Sequence, residues 1–489
     1  MTINQIINNY KKNNPEADTI MLDLAWEFCQ KAHANQKRED GEPYIQHCLH
    51  TAFMLTQIKA DLETIIAGLL HDIPEDTEYT LADIEKNFGK EIANLVEGIT
   101  KLSKIKYRGI ERYRENLRKM FLAMAKDLRV ILIKFADRLH NLKTLESLPL
   151  EKQQRIAKET LEIYAPIAGL LGIFRLKWQM EDLCFKHLYP EEYKKLTYTY
   201  EIEKKLEHNQ YIQKIKNILN ARLKQEKIPC QLTSRFKHLY SIYLKMQNKD
   251  RKFDEIYDVF ALRVVVSNIA DCYKTLGIIH SLWRPNPARF KDYIAVPKPN
   301  GYRALHTTVF GPDNKPAEFQ IRTNKMDEEA KYGIAAHWYY KIKNNNDNDQ
   351  KKQPTWVKEV LKIQKETENT HDFIKQVKFD VFHDRIFVFT PKGDVFDLPE
   401  ESTPIDLAYY VHSDIGNQAV GARVNDKIAP LNVKLKNGDL VEIITEKKRN
   451  GPNRDWLKFV KTATARNKIK QNLKSTIMDN IKKFIPNIK

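Results

Sequence analysis

The stretch Leu62–Thr77, LETIIAGLLHDIPEDT, decides how the first part of the chain is read. An apolar run from Leu62 to Leu70 ends directly in His71-Asp72, and Pro74-Glu75-Asp76 follows. Placing imidazole and carboxylate groups at the edge of a core is costly unless a cation offsets their desolvation. Working outward, Arg129–Leu142 (RVILIKFADRLHNL) is a second strongly apolar run, and it carries Asp137. Pro43 and Pro74 mark helix starts or kinks. Residues 16–195 therefore read as helix after helix, an all-α domain with its own core.

Beyond it the texture changes. Residues 200–227 read as a charged helical connector. Asp258–Val266 (DVFALRVVV) and Pro316–Arg322 (PAEFQIR) read as strands with helical patterns around them, so a mixed α/β domain is expected. Residues 341–353 (KIKNNNDNDQKKQ) are polar and low in complexity, as a linker or loop would be. From Asp384 to Thr445 short strand patterns alternate with turns at Pro391-Lys392-Gly393 and Asn437-Gly438, a small β-rich module; a basic, helical stretch closes the sequence. The expected organisation is multidomain, α and α+β, with segments 1–199, 200–340, 341–380, 381–446 and 447–489.

A chain of 489 residues suits three or four domains. Its net charge of +17, from 81 basic and 64 acidic residues, favours polyanionic partners such as nucleotides, RNA or anionic membranes. Thirteen Lys or Arg against two acidic residues lie in 447–489, either a solvated basic helix or a segment facing the ribosome or RNA. The five cysteines (Cys29, Cys48, Cys184, Cys230 and Cys272) are odd in number, widely spaced and free of any C-x-x-C pair. That argues against a disulfide framework and a cysteine-based zinc site, and for a reducing, cytoplasmic compartment. The first twenty residues lack the apolar core of a signal peptide, and no stretch reaches the apolar length of a membrane helix.

Two constellations carry chemistry. In the helical part, His47, His71, Asp72 and Asp137 offer nitrogen and oxygen donors suited to a transition-metal dication with water in its open positions. Singly each is weak: His47 reads more readily as an ordinary histidine, and Asp137 as an ion-pair partner of Lys134 or Arg138. Glu75 and Asp76 exceed what one metal needs; they read as groups that orient or deprotonate water, or as a helix-terminal charge cluster. Asn141, four residues after Asp137, shares its helix face and is a candidate substrate contact.

In the mixed part, Arg235, Lys237 and Lys245, then Arg289 and Lys291, then Lys298, are interleaved with Tyr302 and His306. Such cations suit a polyphosphate donor, or else a solvated basic face. Asp258 and Glu318 lie in the two expected strands, and pairing would bring both to one Mg2+. Gly301 permits close backbone approach, and Tyr302 either stacks on a purine or packs in the core.

The strings REDGEPYIQH (38–47), HDIPEDT (71–77) and FADRLHNLKTL (135–145) resemble the alarmone hydrolase domain of the RelA/SpoT homologue family. That resemblance implies an HD-type domain in which His47, His71, Asp72 and Asp137 bind Mn2+. Glu75 and Asp76 would drive water onto a 3′-pyrophosphate bond, and Arg38 and Asn141 would contact substrate. Residues 234–341 resemble the family's nucleotidyltransferase-like synthetase domain, most specifically FDEIYDVFALR (253–263), WRPNPARFKDYIAVPKPNGYRALHTTV (283–309), EFQIRT (318–323) and YGIAAHWYYK (332–341). Here the resemblance implies that Asp258 and Glu318 serve Mg2+ and the acceptor hydroxyl, with Glu318 the base for the 3′-OH. Arg235, Lys237 and Lys245 would face ATP phosphates, and Tyr302 would stack the guanine of GDP or GTP. Lys298, Asn300 and His306 would lie near the acceptor. Residues 384–416 and 424–445 resemble the family's TGS module, a β-grasp domain that implies tRNA or ribosome contact, and 453–470 the helical segment after it.

The implied function is a bifunctional enzyme that makes and degrades ppGpp and pppGpp, without the Cys/His and ACT domains usual in the family. Departures from the family pattern are Glu39-Asp40 in place of Lys-Ser, Cys48 in place of proline, Leu244 in place of a cation and Arg303 in place of glutamine. The RFKD form at 289–292 is that of bifunctional members.

Overall fold

The computed structural model describes residues 1–39, 41–103, 120, 123, 126–200, 205–249, 260–298, 301–333, 362–363, 376, 385–446, 449 and 451–484. They belong to two compact units, Met1–Tyr107 with Lys126–Lys351, and Arg108–Ala125 with Lys352–Lys489.

The first unit begins with helices α1 (Ile3–Lys11), α2 (Ile20–Ala32), α3 (Ile45–Gln57), α4 (Leu62–Leu70), α5 (Ile73–Asp76), α6 (Leu81–Phe88) and α7 (Lys90–Ser103). It continues with α8 (Arg129–Lys143), α9 (Leu150–Glu159), α10 (Ala165–Leu170), α11 (Phe174–Leu188) and α12 (Pro190–Tyr198). Helix α4 is buried from Thr64 to Leu70 because its apolar residues leave no polar stripe to face water. Asp61 caps it by accepting the Thr64 amide at 2.9 Å, and also binds the buried Arg129 guanidinium at 3.1 Å. Helices α3, α4 and α8 pack on one another. Gly68 makes this approach possible, since a Cβ there would lie 2.3 Å from Leu55 Cδ1. The sequence-level expectation of a helical first part with its own core agrees with this arrangement.

The mixed part opens with α13 (Lys205–Gln225) and β1 (Cys230–Phe236), then α14 (Leu239–Lys249), β2 (Phe260–Val266), α15 (Ile269–Leu282), β3 (Arg284–Pro285) and β4 (Lys291–Asp292). It closes with β5 (Leu305–Phe310), β6 (Pro316–Thr323) and α16 (Asn324–Tyr332). The sheet order is β1-β2-β6-β5-β3, with β4 on β5. Strands β2 and β6 are parallel and their other pairings are antiparallel. Strand residues alternate between faces. Leu262, Val264, Leu305, Val309, Phe319 and Ile321 point into a core shared with Tyr211, Ile215 and Leu219 of α13 and Cys272 and Ile279 of α15. The alternation leaves His306, Thr308, Glu318, Gln320 and Arg322 on the opposite face. The charged connector read from the sequence is thus also a core helix of this part.

Strands β2 and β6 coincide with the two expected from sequence. Strands β1 and β5 were not read as strands. In both, polar residues break the apolar run: CQLTSRF in β1 and LHTTVF in β5. The expected linker at 341–353 lies outside the described residues.

The second unit pairs β7 (Arg385–Phe389) with β8 (Val395–Pro399), and sets β9 (Ala419–Val424) between β10 (Lys427–Ala429) and β11 (Val441–Thr445). Helices α17 (Pro404–Val411) and α18 (Ser413–Gln418), absent from the strand-and-turn reading, cover the strands, and α19 (Ala463–Phe484) follows. The fully buried Asp406 accepts from the Thr403 and Thr462 hydroxyls at 2.7 and 2.9 Å, tying α17 to the start of α19. All five cysteines are free, and no helix among the described residues is long and apolar enough to cross a membrane.

Gly333 ends α16 at φ +55°, where a Cβ would stand 2.3 Å from the Leu171 carbonyl oxygen and 2.5 Å from the Gly172 carbonyl carbon. Neither backbone atom can move aside cheaply. Gly333→Ala is expected to destabilise the chain by about 1–3 kcal/mol, read as a lower urea midpoint. An unchanged midpoint would contradict this close approach.

Candidate active sites

The first site lies where α3, α4, α5 and α8 converge. His47 comes from α3, His71 and Asp72 from the α4–α5 junction, and Asp137 from α8. His47 Nε2 lies 3.3 Å from Asp72 Oδ2 and 3.5 Å from Asp137 Oδ1. His71 Nε2 lies 3.1 and 4.0 Å from the same two oxygens. The donor atoms of His47, His71 and Asp137 are all within 4.8 Å of one another. His71 Nδ1 lies 2.9 Å from the Gly68 carbonyl oxygen, so it carries the hydrogen and donates, while the buried Nε2 faces the two carboxylates. Metal-binding imidazoles are commonly held in this way by their other nitrogen. Nitrogen and carboxylate oxygen donors in one buried cage fit a divalent cation.

The electrostatics agree. Burial works against protonation of His71, but Asp72 and Asp137 outweigh it and push its pKa up to about 10. Burial also favours the neutral form of both acids. Chiefly His71 for Asp72, and Lys134 for Asp137, outweigh it and hold each carboxyl well below its usual range. The pocket's field therefore calls for positive charge.

Asp137 does pair with Lys134, at 2.8 Å, and it accepts from Asn141 Nδ2 at 2.6 Å. Arg38 donates to Asn141 Oδ1 at 2.7 Å and lies 3.2 Å from His47 Nδ1, so the structure brings both expected substrate contacts to the cage. Glu75 and Asp76 are exposed on the single turn of α5, directly after Asp72. Two neighbours were missed. Tyr44, from GEPYIQH, places its hydroxyl 2.8 Å from Asp72 Oδ2 and 2.7 Å from Asp76 Oδ2. His140, from DRLHN, lies 2.9 Å from both Arg38 and His47. Burial, then His47, His50 and Arg38, push His140 down to about 2, so it is neutral. Proximity to assigned residues was the signal available for both.

The second site is a cleft of about 680 Å³ over the polar face of the sheet. Arg235, Lys237, Lys245, Arg289, Lys291, Lys298, Tyr302, His306 and Glu318 all line it. Asp258 and Asn300 lie outside the described residues. Glu318 sits opposite Thr308 of β5 and Ala261 of β2. Its carboxylate accepts from Gln320 Nε2 at 3.2 Å, with Lys237 Nζ at 3.8 Å and His306 Nδ1 at 3.6 Å. Tyr302 Oη lies 2.8 Å from His306 Nε2. Gly301, at φ +77°, turns the backbone between Lys298 and Tyr302.

The sequence reading did not anticipate the wall opposite. Phe174, Lys177 and Trp178 of α11, a helix of the first part, line the same cleft. The Arg235 guanidinium lies over the Trp178 ring at 3.3 Å. Burial, then Arg263, lower the pKa of Arg235 to about 9. Arg263 and Arg322, from FALR and FQIR, line a smaller cavity beside it and share Asp327 at 3.5 and 2.7 Å. Crowded cations facing a cleft fit a polyanionic ligand.

Residues 25–174 match the HD domain, 234–345 the region found in RelA / SpoT proteins, and 386–445 the TGS domain. The chain is 46% identical over 482 residues to the "Bifunctional (p)ppGpp synthase/hydrolase SpoT" of Escherichia coli K12, covering 98% of this chain and 68% of that protein. It is 46% identical over 471 residues to a "Probable guanosine-3′,5′-bis(diphosphate) 3′-pyrophosphohydrolase" of Synechocystis sp., covering 95% and 61%. It is 45% identical over 478 residues to a "GTP pyrophosphokinase" of Streptomyces coelicolor, covering 94% and 56%. The chain thus spans between 56% and 68% of the length of these curated relatives.

Burial, with Lys298, Arg322, Lys291 and Lys237 around it, pushes the pKa of His306 down to about 3. The fold therefore holds this imidazole neutral, whereas the unfolded chain takes up a proton near its ordinary value of about 6.5. The stability contributed is present above about pH 6.5 and is lost as pH falls towards 3. His306→Asn is expected to lose less of its urea midpoint than the unsubstituted chain between about pH 7.5 and 5. Parallel losses would mean that the imidazole is not held neutral.

Proposed function

Because the chain belongs to the RelA/SpoT family, we propose that it carries two opposed activities on guanosine nucleotides. The first site removes the 3′-pyrophosphate of ppGpp and pppGpp, giving GDP or GTP and pyrophosphate. The second transfers pyrophosphate from ATP to the 3′-OH of GDP or GTP. The observation that carries this reading is the presence of two separate donor sets: a buried His/Asp cage, and a cation-lined cleft with a carboxylate at its floor.

In the first site, His47, His71, Asp72 and Asp137 would hold one Mn2+, which lowers the pKa of water and draws charge from a phosphoryl group. Glu75 and Asp76 take the proton from the attacking water. The Tyr44 hydroxyl spans Asp72 and Asp76, so cage and base keep a fixed relation. Arg38, anchored on Asn141, faces the charge of the leaving pyrophosphate. Lys134 and Asn141 hold both oxygens of Asp137 and fix its orientation.

In the cleft, Arg235, Lys237, Lys245, Arg289 and Lys291 spread the negative charge of the ATP phosphates. Asp258 and Glu318 would hold Mg2+, whose charge would offset that developing on the transferred group. Glu318 takes the proton of the 3′-OH. Lys298, Asn300 and His306 position the acceptor, and Tyr302 offers its ring to guanine. The neutral His306 accepts from Tyr302 through Nε2 and turns Nδ1–H towards Glu318, which orders that carboxylate. Residues 386–445 and the basic tail meet tRNA or the ribosome, in the cytoplasm.

His71→Ala or Asp72→Ala is expected to reduce Mn2+-dependent degradation by at least about 100-fold while synthesis survives. Glu318→Gln or Asp258→Asn should do the reverse. Chromatography of nucleotides after incubation with ATP, GDP and Mg2+, and separately with ppGpp and Mn2+, reads both. A single change that leaves both activities unaltered would overturn this assignment.

A further inference from the structure

Cys29 and His33 lie one helical turn apart at the end of α2, and α3 brings Cys48 against them. Each offers a donor atom, and the three atoms lie within 4.8 Å of one another. All are buried: the cysteines are fully enclosed and His33 is 2% exposed. The sequence spacing matched no zinc motif, and on that ground a cysteine-based site was not expected. Packing of α2 against α3 supplies what the spacing hides.

Hydrogen bonding fixes which atom His33 presents. Gln36 Nε2 donates to the Asp76 carbonyl oxygen at 2.7 Å, so the amide oxygen must face His33. His33 Nδ1 lies 2.7 Å from that oxygen, which only accepts, and therefore carries the hydrogen. Nε2 then holds the lone pair; it is buried, and the Cys48 thiol interacts with the ring. This is how an imidazole ligand is held by its neighbours.

We propose that Cys29, His33 and Cys48 form a second cation site, for a thiophilic d10 ion of the zinc class, separate from the His47–His71–Asp72–Asp137 cage. Ligands around zinc, at about 2.0–2.3 Å from it, stand roughly 3.3–4.0 Å apart, and the three donor atoms here lie within 4.8 Å of one another. Binding releases both thiol protons to solvent and forms two sulfur–metal bonds and one nitrogen–metal bond, with no change of oxidation state. Two thiolates neutralise the dication, so the loaded site adds no net charge to a dry core. The Leu69 carbonyl oxygen, 3.5 Å from Cys29 Sγ, offers an oxygen donor beside it.

The site reaches the hydrolytic acids by two routes. Gln36 links His33 to the Asp76 backbone. The Tyr44 ring stacks on His33 at 4.8 Å while its hydroxyl meets Asp72 and Asp76. A bound ion would therefore act as a positioning element for α5.

The test loads the intact chain, stripped with chelator, with Co2+ and then with Zn2+. Sulfur-to-cobalt charge transfer absorbs in the near ultraviolet, and the His/Asp cage has no sulfur to give it. The band is expected in the unsubstituted chain, retained in Asp137→Asn, weakened in Cys48→Ala and lost in Cys29→Ala/Cys48→Ala. Zinc content after equilibrium dialysis should fall by about one ion per chain in the double variant, with far-ultraviolet circular dichroism unchanged. Absence of the band from the unsubstituted chain overturns the proposal whatever the variants do. So does a band, or a zinc content, that the double variant leaves undiminished.

Discussion

Two ionised carboxylates, Asp72 and Asp137, meet at the edge of a helical core, and their charge must be offset there. Without a cation the surroundings supply protons: His71 is held in its charged form and Lys134 is drawn onto Asp137. A divalent ion held in that cage would offset the same charge in their place. The helix ends serve this balance. Helix α4 stops where His71 takes the Gly68 carbonyl, and α5 starts after two intervening residues, with Pro74 in its first turn. That sharp junction sets His71 and Asp72 beside the exposed Glu75 and Asp76.

The cleft poses the opposite problem. Arg235, Arg263 and Arg322 lie close enough for burial and mutual repulsion to lower the pKa of the first two, and Asp327 is shared between two of them. One site gathers carboxylates and the other gathers guanidinium and ammonium groups, so one suits a cation and the other a polyanion. The period-two alternation of β5 and β6 separates the apolar core from the second of these sites.

Much of this was legible in the sequence because it rests on local pattern. Leu62–Leu70 followed by His71-Asp72 announced a buried helix with a charged end, and the β-branched run in Asp258–Val266 announced a strand. Strands β1 and β5 escaped because Gln231, Thr233, His306 and Thr307 interrupt their apolar residues, and pairing supplies what periodicity does not. Tyr44, His140 and Trp178 escaped for another reason. Each matters through a neighbour far along the chain: Tyr44 through Asp72, His140 through Arg38 and Trp178 through Arg235. Spacing along one polypeptide carries no record of such pairs.

The aromatic seam between the helical and mixed parts has a bearing on how the chain can be divided. Phe185 and Tyr189 pack against Tyr240 and Tyr243 across that seam, with Tyr193 against Phe185, and Asp182 caps α14 by accepting the Tyr240 amide at 2.9 Å. A fragment cut between α12 and α13 would leave these rings facing water and α14 without its cap. It would also lose the Phe174–Trp178 wall. Such a piece would be prone to self-association and would carry an open-sided pocket, so neither half is a faithful miniature of the whole.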